Sequence, residues 1–182
     1  MPNTVYIATS LDGYIAREDG TIDWLMELPN PDKSDYGFSE FLERMDGIVM
    51  GRKSFEGVLE FGQWPYVKPL PVFVLSNSLS ELPHGLPVKV EIVKGDLKKI
   101  IQALADRGIR NLYIDGGKTI QSFLKEDLID EMIITKIPIL LGSGIPLFGA
   151  TNMELEFEHL ETKVYNNMLV RSKYMRKQKL KD

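Results

Sequence analysis

Apolar and polar positions alternate along this chain in two distinct periods. Residues 5–9, 48–50, 72–75, 90–93, 112–114 and 132–137 are short β-rich runs, several of them continuously apolar, as strands buried on both faces should be. Between them the period changes to that of a helix. Leu97, Ile100, Ile101, Leu104 and Ala105 fall on one helical face between Asp96, a good N-cap, and Gly108, a good C-terminal stop. Phe38, Phe41, Leu42 and Met45 form a similar stripe before the run at 48, and Ile120, Phe123 and Leu124 form another after Gly117. The alternation of strand and helix predicts an α/β fold with parallel crossovers. The end of the chain changes pattern, with Leu155 and Phe157 alternating with Glu154, Glu156 and Glu158. Asn166-Asn167 can then supply the positive φ angles of a tight turn, so a closing antiparallel hairpin is expected.

At 182 residues and 43% hydrophobic, the chain is long enough for one domain with a sizeable core. The Pro-containing stretches 28–32 and 63–71 are too short to link domains. There is no cysteine, which excludes disulfides, Cys-ligated zinc, iron–sulfur clusters and thiol nucleophiles, and suits a cytoplasmic protein. His84 and His159 lack metal-ligand spacing, so no metal is expected. No apolar run approaches the ~20 residues that cross a bilayer.

The net charge of −4 is unevenly spread, because residues 163–182 carry seven Lys or Arg against Asp182 alone. Lys173, Arg176, Lys177, Lys179 and Lys181 could touch nucleic acid, but their position beside the terminus favours a solvated tail. The expected division is a domain over 1–175 and a basic tail over 176–182.

Three segments at strand ends could carry chemistry. Met50-Gly51-Arg52-Lys53-Ser54-Phe55 follows a buried strand; if a helix starts there, its free N–H groups and the close approach allowed by Gly51 suit a phosphate. Ile114-Asp115-Gly116-Gly117-Lys118-Thr119 is a second strand end with glycines, and it matches neither the P-loop nor the Gly-x-Gly-x-x-Gly spacing. The third is Ala8-Thr9-Ser10-Leu11-Asp12-Gly13-Tyr14-Ile15. Alone, the first reads better as a glycine turn with solvated basic residues, the second equally as an ordinary turn, and Asp12-Gly13 of the third as a turn, but in an open α/β sheet all three open onto the crevice at the carboxyl ends of the strands.

With these segments in family order, the sequence resembles the dihydrofolate reductase-like fold, and within it the reductase domain of bacterial riboflavin biosynthesis. The riboflavin-type motifs are residues 10–16, Ile114-Asp115-Gly116-Gly117, and Asp130-Glu131 followed by residues 138–148. The folate-type motifs are residues 50–55, Leu75-Ser76-Asn77 and Trp24. The resemblance implies a three-layer α/β/α architecture with a mostly parallel central sheet closed by a C-terminal antiparallel hairpin. It also implies an NADPH-dependent reductase of a pterin-, pyrimidine- or related heterocyclic substrate, acting as a homodimer.

Residue by residue, it places Ala8 at the nicotinamide carboxamide and Ile15 beside the nicotinamide. Gly51, Arg52, Lys53 and Ser54 would form a helix-start phosphate site, and Ser76 and Asn77 would lie near the adenosine phosphate. Gly116, Gly117, Lys118 and Thr119 would hold the pyrophosphate. Cations rather than an acidic ribose partner favour NADPH over NADH. Asp35 is comparable to the acid of folate reductases and Thr135 to the threonine supporting it, while the competing reading makes Asp35 a helix cap.

Two departures stand out: a cysteine-free chain cannot hold the zinc deaminase that often accompanies the riboflavin reductase, and Gly51-Arg52-Lys53-Ser54 replaces that enzyme's substrate-site pattern. A non-catalytic NADP(H)-binding module is the alternative function.

Overall fold

A computed structural model describes residues 2–177. The strands are β1 (Asn3–Thr9), β2 (Tyr14–Ala16), β3 (Gly47–Gly51), β4 (Val72–Leu75), β5 (Val90–Val93), β6 (Leu112–Asp115), β7 (Glu131–Lys136), β8 (Ile145–Pro146), β9 (Phe157–Tyr165) and β10 (Leu169–Arg176). The helices are α1 (Asp23–Met26), α2 (Phe38–Glu43), α3 (Arg52–Glu60), α4 (Leu97–Asp106) and α5 (Gly117–Lys125).

Eight strands form one sheet in the order β5-β4-β3-β6-β1-β7-β10-β9. Every pairing from β5 across to β7 is parallel, and the two that add β10 and β9 are antiparallel. Side chains of the central strands alternate between two cores. Leu112, Ile114, Met132 and Ile134 pack with α4 and α5 on one face, while Tyr113 and Ile133 pack with Phe41, Leu42, Phe55 and Val58 of α2 and α3 on the other. The three-layer α/β/α expectation is therefore met, with the parallel strands buried on both faces.

Local chemistry explains several boundaries. The Asp96 carboxylate accepts from the Lys99 amide at 3.0 Å and caps α4. Asn166 and Asn167 take φ of 53° and 50°, turning β9 into β10. The small β2–β8 ladder lies outside the apolar pattern, because three- and two-residue strands carry too little periodicity to be read. Among the described residues, no helix is long and apolar enough to cross a membrane.

The basic terminus differs from the expected tail. Lys173 lies within β10 and pairs with Glu131 at 2.8 Å. Arg176 ends the same strand, with its guanidinium against both carboxylate oxygens of Asp127 at 2.7 and 3.0 Å. The Lys177 amide donates to the Glu156 carbonyl at 3.0 Å. Lys173 and Arg176 are thus strand residues paired with acids from outside their own strand, which a charge count along the sequence cannot detect. Lys179 and Lys181 lie outside the described residues.

Candidate functional site

The carboxyl ends of β1, β3, β6 and β7 open on one edge of the sheet, and two helices start there. Gly51 is the N-cap of α3 and Gly116 that of α5, and neither helix start is capped by a side chain. The contrast with α4, which supplies its own Asp96 cap, is informative. Uncapped helix starts leave free N–H groups and the positive dipole end pointing outward.

These two starts abut. A Cβ on Gly51 would lie 2.9 Å from the Thr119 hydroxyl, and one on Gly116 would strike Ser54 and come within 3.9 Å of the Gly51 amide nitrogen. Gly116 has φ 88° and ψ 137°, a conformation essentially confined to glycine. A Cβ on Gly117 would meet Ile15 at 2.8 Å and Ile145 at 3.2 Å. The structure thus brings Ile15, Gly51, Ser54, Gly116, Gly117 and Thr119 together from four separate elements. Lys53 and Lys118 are exposed beside them, and neither makes an ion pair among the described residues. The glycine cradle, two free helix starts and flanking cations fit the phosphates of a dinucleotide.

The remaining expected residues are less uniform. Ala8 is partly buried near Trp24, whose indole N–H is buried without a partner. Arg52 pairs with Glu56 at 2.9 Å one turn along its own helix, with both side chains partly exposed. Ser76 is turned inward, its hydroxyl accepting from the Ser78 and Leu79 amides at 3.2 and 3.0 Å, while Asn77 is exposed.

Asp12 carries a role beyond its expected turn. Its carboxylate accepts from the Ser10 hydroxyl at 2.5 Å and from the Leu141 and Gly142 amides at 3.2 and 2.8 Å, tying the loop after β1 to the segment before β8. The Ser10 hydrogen bond, helped by these amides, holds Asp12 below the ordinary carboxylate range.

At Asp35 the local geometry is that of the competing helix-cap reading. It is exposed, and its two oxygens accept from the Gly37 and Ser39 amides at 2.9 Å each. The Ser39 hydroxyl and these amides hold its carboxyl below the usual range, the opposite of what a proton donor needs. Asp35 caps α2. Thr135 is buried on β7, in register between Ala8 of β1 and Arg171 of β10, and no hydrogen bond joins it to Asp35.

A carboxyl overlooked in the sequence lies closer to the mouth. Asp115 ends β6 and precedes the two glycines, with the Tyr113 hydroxyl 3.3 Å from its Oδ1. Burial pushes its pKa up, although the Gly116 amide and Tyr113 hydroxyl partly offset this. Burial, then the adjacent Asp115 charge, pushes the Tyr113 hydroxyl far up as well. The signal was present as an acid immediately before a strand-end Gly-Gly, but only the fold shows its enclosure.

Comparison with known proteins decides the family. The model of the RibD C-terminal domain matches residues 4–170. The chain belongs to the RibD C-terminal domain family. Uncharacterized protein YwjB of Bacillus subtilis (strain 168) is 37% identical over 168 residues, covering 88% of this chain and 90% of that one. Among solved structures, the Putative riboflavin biosynthesis protein of Shewanella sp. PV-4 is 53% identical with a TM-score of 0.93, covering 98% of this chain and 100% of its own. Dihydrofolate reductase from Enterococcus faecalis, solved with NADP(H), has a TM-score of 0.66 at 19% identity, with 97% of each chain covered. The RibD C-terminal fold is therefore a dihydrofolate reductase-like fold in this chain.

Proposed function

We propose that this RibD C-terminal domain protein is an NADPH-dependent reductase that delivers hydride to an electrophilic carbon of a pterin, pyrimidine or related heterocycle. The observation that carries the reading is the meeting of two uncapped helix starts, through Gly51 and Gly116, beside the half-buried Asp115 carboxyl. When bound, the cofactor supplies the hydride.

The chain's own residues do the rest. Gly51, Ser54, Gly116 and Thr119 receive phosphate oxygens, and Lys53 and Lys118 balance their charge. Arg52 serves a 2′-phosphate by exchanging its contact with Glu56. Ile15 and Ala8 flank the reacting ring and keep water away from it. Asp115 holds a proton at its carboxyl, with Tyr113 donating to the ionised form.

The test is titration with NADPH and NADH, followed by the decay of reduced-nicotinamide absorbance with dihydrofolate or with 5-amino-6-(5-phosphoribosylamino)uracil. Tighter binding of NADPH and turnover of either heterocycle are expected. Binding without turnover of any heterocycle would favour the non-catalytic module, and absence of cofactor binding would overturn the proposal. A cytoplasmic homodimer accompanies this reading, and sedimentation at micromolar concentration tests the dimer.

A further inference from the structure

Arg171 stands apart from the other buried charges. It is 8% exposed, yet no carboxylate lies within ion-pairing distance of it among the described residues. The neighbouring cations, less buried, do have a carboxylate: Glu131, itself 4% exposed, takes Arg44 at 3.2 Å and Lys173 at 2.8 Å. The Arg171 guanidinium stacks 5.3 Å from the Tyr165 ring centroid and donates through Nη1 to the Tyr36 carbonyl.

That carbonyl is oversubscribed. The Tyr6 hydroxyl donates to it at 2.9 Å and the Tyr165 hydroxyl at 3.4 Å, so three donors converge on one oxygen with two lone pairs. The guanidinium's other N–H groups have no carboxylate to receive them. A buried cation without a carboxylate keeps a desolvation penalty that an anionic ligand would offset. The backbone is shaped to admit it all the same: Gly37 has φ 85°, and a Cβ there would fall 2.5 Å from Arg171 Nη1.

The surroundings explain what the surplus is for. Arg171 lines a cleft of about 230 Å³ between α2 and the β9–β10 hairpin. That volume is below the roughly 300 Å³ at which whole-ligand pockets begin, so it suits one arm of a ligand. Its floor includes the register row Tyr6, Ile133, Lys173 and Glu161, and the next row on the same face runs from Ala8 through Thr135 to Arg171 and Lys163, of which the last two also line the cleft. In-register residues share a face, and two strand spacings put Arg171 about 10 Å from Ala8. Lys163 adds a second cation at the exposed rim, where Glu161 lies 3.8 Å from it and Glu40 lines the facing wall.

We propose that Arg171 is the anchor for an anionic arm of the substrate, a carboxylate or a phosphate that reaches along the sheet face from the ring seated beside Ala8. The guanidinium fork pairs with either group through two parallel hydrogen bonds, relieving the crowding at Tyr36. This rests on the reductase reading for what binds beside Ala8, but the anion site is measurable without it.

The experiment titrates the full chain with phenyl phosphate, benzoate and the neutral control benzamide, and separately with NADPH. At least one anionic probe should bind saturably while benzamide does not, and the tighter of the two identifies the arm. Arg171→Gln should weaken that probe at least tenfold, and Arg171→Lys should recover only part of it, with NADPH affinity unchanged in both. Because a buried substitution can unfold the chain, the ¹⁵N guanidinium resonance of Arg171 in the unaltered protein is followed too, and it should shift on adding the probe. Equal probe binding by Arg171→Gln, equal binding of benzamide, or an unmoved resonance would overturn the anchor while leaving NADPH binding intact. Loss of NADPH binding with probe binding retained would sink the reductase reading alone.

Discussion

Replacing Gly116 by alanine tests the meeting of the two helix starts most directly. Two separate costs follow from the geometry. The first is backbone strain: φ 88° with ψ 137° is a glycine conformation, and holding another residue there costs about 1–3 kcal/mol. The second is overlap, since the new methyl would strike the Ser54 hydroxyl and lie 3.2 Å from Ser54 Cβ, an overpacking worth about 1–3 kcal/mol. Together they predict a loss of about 2–6 kcal/mol, or a Tm lower by roughly 5–20 °C in a chain of this length.

A double-mutant cycle with Ser54→Gly separates the two, because it removes both Ser54 contacts and leaves the backbone strain in place. Thermal and denaturant unfolding of the four proteins should show a favourable coupling of about 1–3 kcal/mol. NADPH affinity should fall in Gly116→Ala and recover only partly in the double variant. An alanine variant as stable as the parent, or a coupling near zero, would refute the close approach of α3 and α5.

Asp115→Asn should lower turnover about a hundredfold or more, the scale of a lost general acid, while leaving the NADPH dissociation constant within about twofold. Burial raises the Asp115 pKa, so the parent rate should hold at low pH and fall as pH rises through the raised value, with that limb missing from the variant's profile. Asp35→Ala should cost about 1 kcal/mol as a lost helix cap and leave turnover nearly unchanged; a selective loss of rate would restore its catalytic assignment. Glu91 is held down to about 2 by hydrogen bonds from Arg107 and Lys89, against 4.5 as its ordinary value. Its contribution is therefore complete above the ordinary value and disappears as pH falls from there towards 2. Glu91 and Arg107 are partly exposed, so Glu91→Gln should remove only about 0.5–1 kcal/mol of acid-side pH dependence in unfolding titrations.

The sequence made the parallel strands legible because burial on both faces leaves continuous apolar runs such as Ile48 to Met50. The α4 helix was legible for a different reason, its apolar stripe and Asp96 cap agreeing on one register. The glycine cradle could be read because glycine at a strand end is a local signal. Asp35 was harder, since a carboxylate three residues before a helix looks alike whether it caps or reacts, and only its two amide contacts separate the cases. The settings of Asp115 and Arg171 could not be read from the sequence. One stands beside the Tyr113 hydroxyl of its own strand, and the other shares, through Nη1, a carbonyl 135 residues away in the chain with two tyrosine hydroxyls. Distance along the chain also hid the ion pairs of Lys173 and Arg176, which looked like parts of a loose basic end.

The strand order has a consequence for how the molecule is made. β1 sits between β6 and β7, so residues 3–9 cannot be paired until residues 112–115 and 131–136 have been synthesised. During that interval Val5 and its neighbours have no ladder to join, and such long-range parallel pairing is slow once its partners exist. The hairpin that carries Arg171 follows later still. A chain ending before β10 lacks the strand that gives Arg171 and Lys173 to the cleft beside α2, so that wall is the last part of the cleft to be made.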